Sequence, residues 1–307
     1  MIEWEKIKRI PIREREHKVR VKDFALPYTK GDNFSSFVSS LPHILKGKEL
    51  RELVRRMVEI KKDNHPIVFL MGAHPVKCGL NPLFIEMGKK GWITSLSTHI
   101  ATTIHDMEIA LIGETSEDVR KGLGKGLFGM VKETPELFSL ALKLGLEENI
   151  GLGEALGKFI SLHPDLFPYR DYSLLYNFYR LSIPVTIHAA IGTDTIFQHP
   201  EIKGGDVGEL SHRDFLKLVK ILENLGGGAV INVGSAVILP EVFLKAFSLV
   251  RNIKGELKEF ITVNFDMILH YRVEKNILQR PGGKYFNFLG HHEIMIPLFF
   301  ALLEEAG

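Results

Sequence analysis

Residues 183–194 read IPVTIHAAIGTD, an apolar run that stops at a histidine and opens into small and polar residues. Val185 and Ile187, bounded by Pro184 and Gly192, have the signature of a short buried strand. In an open parallel sheet the carboxyl end of such a strand is where ligands sit, although a histidine there is often a hydrogen-bonded core residue. The same pattern recurs along the chain. Apolar runs lie at 66–71, 92–96, 183–188, 229–233, 260–263 and 285–289, with helical stretches between most of them. That alternation predicts an α/β fold: a doubly wound, mostly parallel Rossmann-like sheet with helices on both faces. Right-handed crossovers then bring every strand exit to one rim, gathering Gly72 to His74, Thr98 and His99, His188 to Asp194, Asn232 to Ser235, Asn264 to Asp266, and Gly290 to Glu293.

The remaining segments fit around this sheet. Residues 1–35 alternate charge with Ile and Val and predict an edge strand or an extended arm. Leu50, Leu53, Val54, Met57, Val58 and Ile60 recur at helical spacing. Residues 123–166 are glycine-rich and helical in pattern, an insertion over the sheet or against a partner subunit. Pro297 places the first turn of a closing helix near itself. No repeat or linker divides the 307 residues, so a single domain over 1–307 is expected.

Composition narrows the function classes. With 39 basic and 37 acidic residues the net charge is +2, which gives no field for nucleic acid or an anionic membrane. The single cysteine, Cys78, allows no intrachain disulfide, and the charged start MIEWEKIKRI is unlike a secretory signal. The most apolar window, 294–303, is about half of the roughly 20 residues a spanning helix needs. A cytoplasmic protein acting on a small molecule, without membrane or nucleic-acid partner, is the expectation.

Several rim residues carry chemistry. His105 and Glu108, three apart, share a helical face and can form an acid/base pair; equally, the carboxylate can complement the helix dipole beside a solvated histidine. Gly226 to Gly228 and the Gly234-Ser235 turn can admit a phosphate or serve tight packing, and neither forms G-x-G-x-x-G after a strand. Adjacent His291 and His292 would diverge by about 100° on a helix, and no H-E-x-x-H or C-x-x-C spacing exists, so no metal ligands are assigned. Lys77 and Cys78 sit at a strand exit, where packing or surface charge explains them as well as ligand binding does.

Taken together, several segments resemble the deoxyhypusine synthase family. Val21 to Phe24, Gly79-Leu80, STHIATTIHDME at 97–108, SLLYNFYRLSIPVTIHAAIGTD at 173–194 and GGGAV at 226–230 are similar, in order, to its motifs. The resemblance implies a Rossmann-like fold, a homo-oligomer (dimer or tetramer) and NAD as cofactor, with chemistry through an imine on a lysine. Where that lysine is expected this chain has Ile231, followed by Asn232, and Thr102 and Thr103 replace glycines of the cofactor segment. The expectation is an NAD-binding protein acting on a small polar amine or related metabolite without the lysine-imine step. On this reading Ala101, Thr102, Asp194, Gly227, Asn232, Gly234 and Ser235 hold the cofactor. His105, Glu108, His188 and His292 are acid/base candidates, while Asp266 and Glu293 orient a cationic substrate. Two alternatives stand beside it: a metal-dependent hydrolase assembled from His188, Asp194, His199 and His291, and a non-catalytic nucleotide or metabolite sensor.

Overall fold

The computed structural model describes residues 2–307, which divide into two compact units at Leu53 and Val54. In the first unit, short 3-10 turns at Trp4–Lys6, Ile12–Glu14 and Val21–Asp23 precede α1 (Phe34–Ser40) and the start of α2 (Leu45–Lys62). No strand forms before residue 67, so the expected edge strand is absent among the described residues: Pro11 and Pro27 lack the N–H a ladder needs, and the Ile and Val side chains of this segment are exposed. The Asn33 side chain caps α1 by accepting the Ser36 N–H at 2.9 Å. Arg51 collects the carbonyls of Val38, Leu41 and Pro42 at 2.5, 2.7 and 3.0 Å, satisfying the orphan end of that helix.

In the second unit, β1 (Ile67–Met71) is followed by α3 (His74–Lys77) and α4 (Asn81–Lys89), and β2 (Ser95–His99) by α5 (Ile100–Ile112). Next come α6 (Val119–Gly124), α7 (Glu133–Glu147), α8 (Leu152–Leu162) and α9 (Leu174–Arg180) before β3 (Val185–His188). Then follow α10 (Gly204–Leu222), β4 (Ala229–Val233), α11 (Ile238–Lys254), β5 (Ile261–Asp266), β6 (Lys284–Leu289) and α12 (His292–Ala306). No helix among the described residues is long and apolar enough to cross a membrane.

All strand pairs are parallel, in the order β3-β2-β1-β4-β5-β6. Every residue of β1 and β4 is buried because helices cover both faces. Val68, Leu70 and Val230 pack with Leu218, Phe243 and Phe247 of α10 and α11, while Phe69, on the other side of its strand, meets Phe84 of α4 edge-on at 6.1 Å. The expected doubly wound sheet is therefore present and wholly parallel. The second strand starts later than the apolar run at 92–96 predicts, because Trp92 and Ile93 fill the core from the turn before it. Likewise α12 starts at His292, so Pro297 stands inside the helix rather than near its first turn and leaves the Glu293 carbonyl without its usual donor.

Strand order reverses between β1 and β4, and there the two backbones nearly touch. The Gly72 N–H donates to the Val233 carbonyl at 2.9 Å, and a Cβ on Gly72 would lie 2.1 Å from the Gly234 oxygen. One register level of β4, β5 and β6 is polar: the Asn232 amide donates to Asn264 at 2.9 Å, and Asn264 donates to Asn287 at 2.9 Å.

Two buried carboxylates tie the helices together, and one of them reaches the sheet. Asp106 of α5 accepts from the Asn81 amide, the Ser173 hydroxyl and the Leu174 and Leu175 N–H groups at 2.6 to 3.1 Å, joining α4, α5 and α9. Burial pushes its pKa up to about 6, against the pull of those donors. Asp214 of α10 accepts from Gly153 and Ile187, both at 2.8 Å, and burial raises it to about 7. Replacing Asp106 with Ala strands the four donors inside the protein. We expect a loss of about 3 kcal/mol or more of unfolding free energy, read from the urea midpoint at unchanged slope.

Candidate functional site

A cleft of about 920 Å³ runs along α5. Its walls are α5, the segment after Gly113, the residues leading into α7, and Thr193 to Thr195 beyond β3. Gly113 ends α5 in the left-handed region at φ 75°, and this reversal sends Thr115 back over the helix. Thr115 then stands between His105 and Glu108: its oxygen lies 2.7 Å from His105 Nδ1 and 2.5 Å from Glu108 Oε2. A hydroxyl has one proton. Given to the carboxylate, it leaves the oxygen to accept from His105, so Nδ1 carries hydrogen and Nε2 of the neutral ring is a free acceptor.

Charge in the cleft is one-sided. The carboxylates of Glu108, Glu114, Glu117, Glu133 and Asp194 line it against the single ammonium of Lys77, with Ile104, Leu111 and Phe128 among the apolar wall residues. Asp194 accepts from the Ala101 N–H at the start of α5 and from the Thr193 hydroxyl at 3.2 Å, and burial raises its pKa. It holds the helix end where a phosphate would otherwise be attracted.

Behind the cleft, His99 and His188 are register partners at the exits of β2 and β3. His188 is buried, 3.0 Å from the Thr186 hydroxyl, which lies 2.8 Å from Ser97. Burial lowers His188 to about 3 and His99 to about 4. Both are neutral near pH 7, which makes His188 a hydrogen-bonding group rather than a proton donor of the imidazolium type.

A second cluster occupies the exits of β1, β5 and β6. His292 is buried, lies 3.1 Å from the Phe265 carbonyl through Nε2, packs on Gly234, and stands 5.3 Å from the His74 ring. Cys78 lies 3.4 Å from His74 and 3.7 Å from Glu293. Burial lowers His74 and raises Cys78 relative to their ordinary values. Asp266, also buried, accepts the Met267 N–H at 2.7 Å.

The structure therefore sorts the expected residues into groups. Ala101, His105, Glu108 and Asp194 meet in the α5 cleft, with Thr102 buried on the helix and His188 behind it. Gly234, Ser235, Asp266, His292 and Glu293 belong to the second cluster's side of the rim. Gly227 joins neither. It precedes β4, packed on His65 at the amino-terminal end of the strands, with the whole of β4, about 17 Å, between it and Gly234. Asn232 is fully buried, and its amide nitrogen is committed to Asn264 and the Ser235 carbonyl, so that donor is not free for a cofactor. Ser235 Oγ accepts the Leu239 N–H at 3.3 Å.

His188, Asp194, His199 and His291 are not assembled as one metal site. His199 lies 2.8 Å from the Gly129 carbonyl, and the β3 and β6 exits stand at opposite sheet edges, about 24 Å apart. Thr115, Asp106 and Asp214 were not singled out from sequence. For Thr115 the usable signal was Gly113, a helix terminator that turns the chain back.

No family model matches this sequence, and no curated protein matches it. Solved structures do. A provisionally assigned deoxyhypusine synthase from Entamoeba histolytica superposes with a TM-score of 0.51 at 12% identity, over 92% of this chain and 96% of that one. The fold is deoxyhypusine synthase-like. The same deoxyhypusine synthase-like core resembles a provisionally assigned LOR/SDH protein from Methanococcus maripaludis S2 (TM-score 0.54, 17% identity, 85% of this chain and 70% of that one). It also resembles AgrE, solved with ornithine and NAD+ (TM-score 0.54, 14% identity, 85% of this chain), of which it spans 33%. At these identities the likeness is one of fold.

The neutral histidines give the deoxyhypusine synthase-like core a measurable pH response. Below about pH 6.5 the unfolded chain protonates His188 while the folded protein does not, so stability falls with falling pH down to about 3. Buried Asp106 and Asp214 act in the opposite sense between about pH 4 and their folded values of about 6 and 7. His188→Gln is expected to remove a slope approaching about 1.4 kcal/mol per pH unit in the acid range. Urea titrations of both proteins at pH 6.5, 5.5 and 4.5 check the difference.

Proposed function

We propose that this protein binds a small aliphatic amine in the α5 cleft and a NAD-type dinucleotide at the adjoining strand exits. The carboxylate lining of the cleft carries the reading: Glu108, Glu114, Glu117, Glu133 and Asp194 favour a cation, and the apolar wall takes its methylenes. His105 Nε2 is the acceptor for an amine proton. Its imidazole is aimed by Thr115, and Glu108 stabilises the imidazolium that results.

The dinucleotide reading has different support. Strand order 3-2-1-4-5-6 puts a ligand crevice between β1 and β4, and AgrE was solved with NAD+. Ala73, His74, Gly234 and Ser235 follow β1 and β4 at that crevice, and Lys77, on the turn after β1, adds a cation. Ala101 and Thr102 adjoin from α5. The residues fit a dinucleotide whose phosphates keep to the Lys77 side, away from Asp194 and the glutamates. Bound there, such a cofactor supplies hydride chemistry to a neighbouring amine. Ile231 is a fully buried residue inside β4, so no amine nucleophile stands where the family's lysine is expected, and the imine step is not part of the proposal. The same residue favours a second reading, ligand binding without turnover.

Exposed Leu123, Leu127 and Met130 beside the cleft support the further expectation of a homo-oligomer. Calorimetric titration with 1,4-diaminobutane and, separately, NAD+ tests the proposal. Amine binding is expected to weaken about 10- to 100-fold in Glu108→Gln and to fall with added salt, whereas NAD+ binding is expected to survive that substitution and weaken in Lys77→Ala. Absence of both heat and thermal stabilisation with either ligand at millimolar concentration overturns the corresponding half. Reduction of NAD+ in the presence of amine separates the enzyme from the sensor.

A further inference from the structure

A different chemistry is gathered beside the α5 cleft, on the turn that follows β1. His74 and Cys78 are four residues apart on one helical turn, closed by the Cys78 N–H donating to the His74 carbonyl at 2.9 Å. That spacing puts both side chains on one face. The first turn of α12, reached 215 positions later in the chain, delivers Glu293 against them. His74 Nε2 lies 3.4 Å from Cys78 Sγ, and Cys78 Sγ lies 3.7 Å from Glu293 Oε2. Ligating atoms of all three stand within 4.8 Å of one another, and no other trio of His, Cys, Asp or Glu does so among the described residues.

The two contacts of Cys78 Sγ, at 3.4 and 3.7 Å, have the separations of a coordination shell. With Zn–S near 2.3 Å, Zn–N and Zn–O near 2.1 Å and a tetrahedral angle, neighbouring ligand atoms sit about 3.6 Å apart. A nitrogen, sulfur and oxygen set also selects by chemistry. A thiolate and an imidazole suit a borderline-soft divalent ion, whereas magnesium and calcium take oxygen shells. His74 and Cys78 are partly buried and Glu293 is exposed, so an ion has both a seat and a path in from solvent. A neighbouring buried polar atom is left unexplained by the protein alone: Nδ1 of His292, whose ring lies 5.3 Å from that of His74, has no partner.

We infer that His74, Cys78 and Glu293 form a site for one zinc-type divalent cation, with its fourth position open to water or a ligand. Binding releases the Cys78 thiol proton to solvent, and three protein ligands with an open position is the arrangement of a reactive rather than a purely structural zinc. The inference needs neither the amine nor the dinucleotide, although His74 also borders the crevice assigned to the dinucleotide.

Full-length, untagged protein stripped with chelator and titrated with Co2+ alone tests it. One equivalent is expected to bind with a thiolate-to-cobalt charge-transfer band in the near ultraviolet, and zinc is expected to displace it. Cys78→Ser is expected to abolish the band and weaken binding more than about 100-fold, beyond the loss typical of outer-shell groups, and Glu293→Gln to weaken it in the same direction. Binding without the band, no binding, or equal affinity in Cys78→Ser overturns the site. Should either variant fold poorly, alkylation of Cys78 in the unaltered protein decides: one equivalent of zinc slows it if the site exists, and an unchanged rate overturns it.

Discussion

The close approach of Gly72 to the Gly234 carbonyl is the contact around which the rest of the second unit is laid out. A side chain on Gly72 would meet that oxygen at 2.1 Å, so only glycine lets β1 and β4 leave the sheet side by side. From there the chain departs in opposite senses, through β2 and β3 towards one edge and β5 and β6 towards the other. The rim is consequently not one cleft of converging residues. It is two chemical neighbourhoods separated by the point of reversal, one rich in carboxylates along α5 and one holding imidazoles and a thiol under α12.

Burial of polar groups, more than apolar packing, sets how those neighbourhoods are shaped. Asp106 serves donors from Asn81, Ser173, Leu174 and Leu175, and so fixes the floor of α5 from which His105 and Glu108 project. Asp214 binds the first turn of α8 and the middle of β3 at once. Its other oxygen would lie 1.9 Å from a Cβ on Gly151, so the glycine richness of this region reflects helices packed against a buried carboxylate. An unpaired carboxylate at such depth would cost several kcal/mol.

The fold was legible because β1 is a continuous apolar run, β4 and β5 are mostly apolar, and the strand exits share small polar residues. Asp194 and the His105–Glu108 pair were legible for similarly local reasons: a residue just past a strand, and a spacing of three on a helix. What could not be seen is long-range. Thr115 joins its pair through the reversal at Gly113. Glu293 meets Cys78 through the sheet order, which no local pattern states. Gly227 enters the cofactor set only through the likeness of GGGAV to a family motif, and its place before the run at 229–233 already sets it at the entry of β4, away from the exits. Asn232 looks available in the sequence because its partner Asn264 lies on another strand.

The line of amides Asn232, Asn264 and Asn287 has a consequence for assembly of the sheet's outer edge. Slipping β6 by one position would turn Asn287 to the other face, leave Asn264 without its acceptor, and bury unmatched amides at about 1 to 3 kcal/mol each. The amides thus act as a vernier that accepts one alignment of an otherwise forgiving aromatic strand, Lys284–Leu289. Because Glu293 follows that strand by only a short turn, a step of about 3.3 Å in alignment would carry it off Cys78. The accuracy of the rim is therefore set in the interior, by three side chains that touch no ligand.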